Sequence, residues 1–169
     1  MEFRNRDGFL VRKAFMDDID SIMKLLKGIA RWMKENEIHQ WQFLLQGGDD
    51  EEIIQAVKNQ DTYLILNGNE VVATFTLSDE QSEWDKELWG ENVEGDSLYL
   101  HRLAVNRSYM NKGIGKDILS WIQENGSFNG KDLKLDCVAS NQKLNQFYRE
   151  NGFAYVGETN RFSKYQKQR

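Results

Sequence analysis

The chain has 169 residues, of which 40% are hydrophobic and 12% aromatic, and its net charge is -5 at pH 7. That suffices for one domain burying roughly 70% of its unfolded chain's surface, and without a long basic run it excludes an obvious nucleic-acid surface. Lone Cys137 excludes an internal disulfide and leaves no metal-ligand spacing, and no signal core or run of about 18 apolar residues is present, so a soluble, cytoplasmic protein without a membrane partner is expected.

Phe9 to Phe15 predicts a first strand. Asp17 or Asp18 can then cap a helix whose Ile19, Ile22, Met23, Leu26, Ile29, Ala30 and Met33 form one apolar stripe. Glu37 to Gln46 is irregular and aromatic, either core filling or a pocket wall, and Asp49 or Asp50 caps a short helix over Glu51 to Lys58. Thr62 to Leu66 and Glu70 to Leu77 flank Asn67-Gly68-Asn69, a hairpin signal because Asn and Gly tolerate positive φ. Ser78 to Asp96 holds eight carboxylates against Lys86 alone. It reads as a solvated loop, with an acidic lip for a cationic substrate as the alternative.

Ser97 to Val105 predicts a strand, and the glycines at 113 and 115 open a helix carrying Ile114, Ile118, Trp121 and Ile122 on one face. Leu133, Leu135 and Cys137 alternate with Lys134 and Asp136 as another strand. Asn141 to Glu150 reads as a helix ended by Asn151-Gly152, and strands are expected over Phe153 to Gly157 and Arg161 to Gln166. The fold class is mixed α/β in a single domain spanning residues 1–169.

Gly113-Ile114-Gly115 at a helix start lets backbone N–H groups meet an anion, helped by the helix dipole. A Rossmann fingerprint would need glycine where Ile118 stands, and a P-loop would need Gly-Lys-Ser/Thr where Gly115-Lys116-Asp117 stands. The segments LAVNRSYMNKGIG and NQKLNQFYRENGF, taken together, resemble the GNAT superfamily of acetyl-coenzyme A dependent N-acyltransferases. The likeness is strong from about Asp96 to Gly157. It implies a mostly antiparallel sheet with one pair of splayed parallel strands and flanking helices.

The resemblance further implies acetyl-CoA as cosubstrate and a primary amine as acceptor, with direct transfer in a ternary complex. Its pyrophosphate loop is Arg/Gln-x-x-Gly-x-Gly/Ala, and here Met110 stands first. Backbone groups from Asn111, Lys112, Gly113, Ile114, Gly115 and Lys116 would hold the phosphates. Leu103, Ala104 and Val105 would lie beside the thioester and supply an oxyanion donor, while Asn141 would bind the cofactor arm or simply cap its helix. Tyr148 matches the family's general acid and also its cofactor contacts. Asp136 and His101 are the candidate bases.

Trp32, His39, Trp41 and Phe43 would form a substrate wall, with cation–π contacts to an amine. A non-catalytic acyl-CoA binding module and a protein amino-group acetyltransferase are the alternatives to a small-molecule enzyme. Either a monomer or a homodimer is compatible with the basic C-terminal strand, whose charges discourage edge pairing.

Overall fold

The hairpin around Gly68, the alternating strand through Cys137 and the two flanking amphipathic helices all form where their residue patterns demand. The structure is a computed structural model describing residues 3–4, 8–38, 40–125 and 130–168, with only the backbone of residues 3, 4 and 43. Its elements divide into two compact units, Met1–Thr76 with Arg102–Asp117, and Leu77–His101 with Ile118–Arg169.

In the first unit, β1 (Phe3–Arg4), β2 (Leu10–Lys13), β3 (Thr62–Asn67) and β4 (Glu70–Ser78) pair antiparallel in that order. Gly68 turns the β3–β4 hairpin at φ 60. Helix α1 (Ile19–Glu35) buries Ile22, Leu26, Ile29 and Ala30. These side chains cluster with Leu44, with Ile53 and Val57 of α2 (Asp50–Lys58), and with Leu64, Leu66 and Ala104. Their 3.6-residue spacing creates the stripe, and its burial anchors the helix more firmly than intrinsic propensity does. Asp18 precedes α1 as expected, but its carboxylate accepts from the Phe15 amide at 2.7 Å and from Arg12 at 2.8 and 3.0 Å, and does not cap α1. The Arg12 hydrogen bond holds its carboxyl below the usual range.

The second unit contains α3 (Glu83–Trp89), β6 (Asp132–Val138), α5 (Gln142–Glu150), β7 (Ala154–Thr159) and β8 (Phe162–Lys167). Strand β6 alternates as expected, burying Leu133, Leu135 and Cys137, and it pairs antiparallel with β8, which pairs antiparallel with β7. Its other neighbour is β5 (Ser97–Val105), in parallel. That ladder joins only Ser97–Tyr99 to Asp132–Lys134, although β5 continues to Val105 and β6 to Val138. Helix α4 (Ile114–Glu124) links the glycine turn to the second unit. No helix among the described residues is long and apolar enough to cross a membrane.

One expectation fails here: Ser78 to Asp96 is not simply a solvated loop. Ser82 and Asp85 exchange backbone-to-side-chain hydrogen bonds as a capping box that opens α3. Ser-x-x-Asp differs by one methylene from the common Ser-x-x-Glu, and the acidic surroundings obscure it. The helix buries Asp85 and Leu88.

Candidate active site

In the first unit, β5 ends in a pinned turn. The Asn106 amide donates to Val72 O at 2.8 Å and its side chain donates to Val71 O at 3.0 Å. The Asn106 side chain also accepts from Ser108 N–H, capping a 3₁₀ turn over Arg107–Tyr109. Asn67 donates to the Tyr109 hydroxyl at 3.0 Å. The chain then passes through Asn111 at φ 62 and Gly113 at φ 75 before α4 begins at Ile114. Asn tolerates the left-handed region, and Gly adopts it freely. A Cβ on Gly113 would meet no atom within 4 Å, so the turn leaves room for a group to approach its backbone.

Asn111, Lys112, Gly113 and Lys116 are exposed, Gly115 is half-buried and Ile114 is buried beneath them. The first amides of a helix lack intrahelical acceptors, so a phosphate fits this turn by backbone chemistry alone. Met110 ends the 3₁₀ turn in extended conformation, and the Nζ of neighbouring Lys112 lies 5.4 Å over the Tyr109 ring. Leu103 and Val105 are half-buried, whereas Ala104 belongs to the hydrophobic core. Just before them Arg102 sits at φ 51, a strained value for a non-glycine inside a strand. Its guanidinium donates to Asp49 at 3.0 Å, both side chains being largely buried. The sequence carries no local signal for that kink.

In the second unit, His101, Asp136 and Asp85 come together. Single donor atoms from the three lie within 4.8 Å of one another. His101 Nε2 is 3.0 Å from Asp85 Oδ2. Trp84 Nε1 donates to both oxygens of Asp136, at 3.3 and 3.2 Å, and its ring stands edge-on to Phe162 with centroids 4.7 Å apart. Asp136 is half-buried by solvent contact, yet burial within the protein is the largest influence on it and pushes its carboxyl up to about 6. The charge of His101 and the Trp84 bond oppose that shift, and Asp85 adds to it. Both candidate bases therefore share one cluster, and Asp85 and Trp84 are members that sequence reasoning missed. Their signal was the Ser82-x-x-Asp85 cap, which predicts a helix where acidity suggests a loop.

Tyr148 lies on α5, only 6% exposed, with Phe147, Phe153 and Tyr165 rings 5.3, 5.8 and 5.9 Å away. Burial, then the charges of Cys137 and Asp136, push its phenol well above the ordinary value, so it stays protonated at neutral pH. Asn141 accepts from Leu144 N–H at 3.1 Å, which is the helix-capping alternative. Asn145, also unforeseen, donates to Val138 O and Asn141 O and accepts from the Tyr165 hydroxyl at 2.7 Å, tying α5 to the end of β6. Cys137 is buried and its thiol is pushed up to about 12, mainly by burial, so it offers little thiolate.

Two members of the expected aromatic wall, Trp32 and Trp41, have described side chains. The ring face of Trp32 is covered by Arg107, 4.6 Å from its centroid, and Trp41 packs on the core cluster. His39 and the side chain of Phe43 lie outside the described residues.

A mixed, mostly antiparallel sheet with one short parallel ladder, flanked by helices and carrying a glycine turn after β5, is the GNAT arrangement. A profile of the acetyltransferase (GNAT) family matches residues 24–153, and the chain belongs to that family: it is an acyltransferase, and the family's acyl donor is acetyl-CoA. The chain is 36% identical over 152 residues to the uncharacterized N-acetyltransferase YesJ of Bacillus subtilis (strain 168), covering 89% of this chain and 84% of that protein. It is also similar to a crystal structure of a GNAT-family acetyltransferase from Listeria monocytogenes 4b F2365, with TM-score 0.82, 31% identity and 99% of each chain covered. The PaiA N-acetyltransferase of Thermoplasma acidophilum, solved in complex with coenzyme A, shares the fold at TM-score 0.73 and 16% identity, over 94% of this chain and 98% of that one.

Proposed function

We propose that this enzyme is a single catalytic domain that transfers the acetyl group of acetyl-CoA to a primary amine of a small molecule, by direct attack in a ternary complex. The observation that carries the mechanism is the clustering of His101 and Asp136, with Tyr148 near enough for the Asp136 charge to raise its pKa. An alkylamine with a pKa of about 10.4 is only about 0.04% free base at pH 7. The His101–Asp136 pair takes its proton as the amine nitrogen bonds to the acetyl carbon. The carbon–sulfur bond then breaks, and the Tyr148 phenol donates a proton to the departing thiolate. An amide from Leu103, Ala104 or Val105 stabilises the oxyanion between those events.

The glycine turn binds the pyrophosphate through amides of residues 111–116, which supports acetyl-CoA binding without an Arg or Gln at position 110. The coenzyme A complex of the PaiA protein, which shares the fold, supports the same assignment. Asn141 serves first as the cap of α5, and its contact with the cofactor arm is part of the proposal. Trp32, His39, Trp41 and Phe43 are assigned to the acceptor side, although Arg107 must leave the Trp32 face before an amine can use it. A buried, protonated Cys137 favours direct attack over an acyl-enzyme. The negative charge of Asp85 and Asp136 favours a compact cation as acceptor. Soluble cytoplasmic residence, as a monomer or homodimer, completes the proposal.

Thiol release from acetyl-CoA, followed with a panel of small primary amines and lysine-containing peptides, tests this function. Turnover with small amines exceeding that with peptides is the expected result. Turnover confined to peptides would transfer the enzyme to the protein-modifying class.

A further inference from the structure

Resting on the proposal that the His101–Asp136 pair receives the acceptor's proton, we infer that Asp85 is the positioning residue that fixes the tautomer and orientation of His101. Three observations carry it. Asp85 is 1% exposed and its Oδ2 meets His101 Nε2 at 3.0 Å. The same Oδ2 accepts from the Ser82 amide at 3.1 Å and from the Ser82 hydroxyl at 3.0 Å, so the first turn of α3 holds the carboxylate in place. Its Oδ1 is buried without a hydrogen-bond partner among the described residues.

A carboxylate only accepts, so His101 Nε2 carries the proton and donates to Asp85. The lone pair of neutral His101 is therefore on Nδ1, and that atom is the one available to receive a proton. The capping box has a second consequence. A surface helix needs no buried acid at its third position, and a buried carboxylate with one unused oxygen is costly. Capping alone does not account for Asp85, whereas orientation of an imidazole does. Helix α3 thus contributes twice to the cluster in consecutive residues: Trp84 donates to Asp136, and Asp85 accepts from His101.

The experiment is a double-mutant cycle in the full chain, with Asp85→Asn, His101→Gln and the combination. It measures kcat and KM for acetyl-CoA by thiol release, with thermal melts and coenzyme A titrations verifying each fold. Asn keeps an oxygen for Ser82 but can also present an amide N–H to the imidazole, which favours the other tautomer. Asp85→Asn is expected to lower kcat by about 10²-fold, within the range of acid–base catalysis, with KM for acetyl-CoA changed less than about 2-fold. In the His101→Gln background the same change is expected to cost almost nothing more, because the residue acts through His101.

A full additional loss in that background, or an unchanged kcat for Asp85→Asn alone, overturns the positioning role while leaving His101 as a base. An unchanged kcat for His101→Gln overturns the base assignment itself, and the inference falls with it. Should Asp85→Asn melt below the assay temperature, Asp85→Ala replaces it, because it removes the buried carboxylate and its desolvation cost outright. Rescue of its stability with kcat still depressed supports the role, and full activity contradicts it.

Discussion

The glycine turn of the first unit and the acid–imidazole cluster of the second are built by opposite means. The turn is contiguous and made of backbone, with Asn111 and Gly113 both at positive φ and an open approach beside Gly113. The cluster is made of side chains from residues 84, 85, 101 and 136, brought together by α3, β5 and β6. A site made of backbone would tolerate the loss of a side chain, such as the Arg or Gln of the family's loop where Met110 stands here. A side-chain cluster would not. Substitutions in the turn should therefore weaken binding, and substitutions in the cluster should lower turnover.

The largest effect expected in the second unit is that of Tyr148→Phe, beside the cluster, which removes the proposed proton donor while keeping the ring packing. Turnover should fall by roughly 10²- to 10⁴-fold, with the calorimetric affinity for coenzyme A nearly unchanged. A proportionate loss of affinity would place Tyr148 with the binding residues and break the division.

Asp136→Asn sharpens it through stability. The folded pKa of about 6 exceeds the ordinary 3.8, so protonated Asp136 stabilises the native state below pH 3.8. That contribution disappears as pH rises through 6. The Asn variant should be less active yet more stable than the parent at pH 7 to 8, by about 1–3 kcal/mol, and the gap should close near pH 4. Denaturant melts across that range measure it. Lower stability of the variant at pH 8 would show that the ionised carboxylate is a net structural asset.

On the turn side, Gly113→Val imposes a β-branched residue at φ 75. The strain, of order 1–3 kcal/mol, should appear as roughly 10-fold weaker coenzyme A binding, with little loss of kcat at saturation. The smallest effect should come from Ser82→Ala. It removes the cap of α3 at about 1 kcal/mol, lowering the melting temperature by roughly 2–4 °C, while the Ser82 amide still holds Asp85.

Much of the fold is legible because its signals are local: the Asn67-Gly68-Asn69 turn, the alternation Leu133-Leu135-Cys137 and the stripe from Ile22 to Ala30 each specify an element. The turn at Gly113 and the capped helix bearing Tyr148 are legible for the same reason. The cluster is only half so. His101 and Asp136 stand out on their strands, but their partner lies in a stretch whose charge resembles that of a solvated loop. Burial of Asp85 against His101 is a tertiary outcome, and composition of the segment does not reveal it. Trp41 illustrates the converse, since the aromatic stretch from Glu37 to Gln46 reads equally as core filling or as a pocket wall, and only the tertiary structure packs Trp41 on the core. Arg102 at φ 51 is illegible altogether, because the Asp49 contact that holds it spans 53 residues.

The most direct measurement of the central claim is the pH dependence of kcat/KM for thiol release, with a good amine acceptor, in the parent and in Asp136→Asn. An acid limb with its midpoint near pH 6 in the parent, lost in the variant together with at least about 10-fold of the rate above it, is the predicted result. An identical limb and rate in both proteins would contradict a proton-accepting role for the cluster.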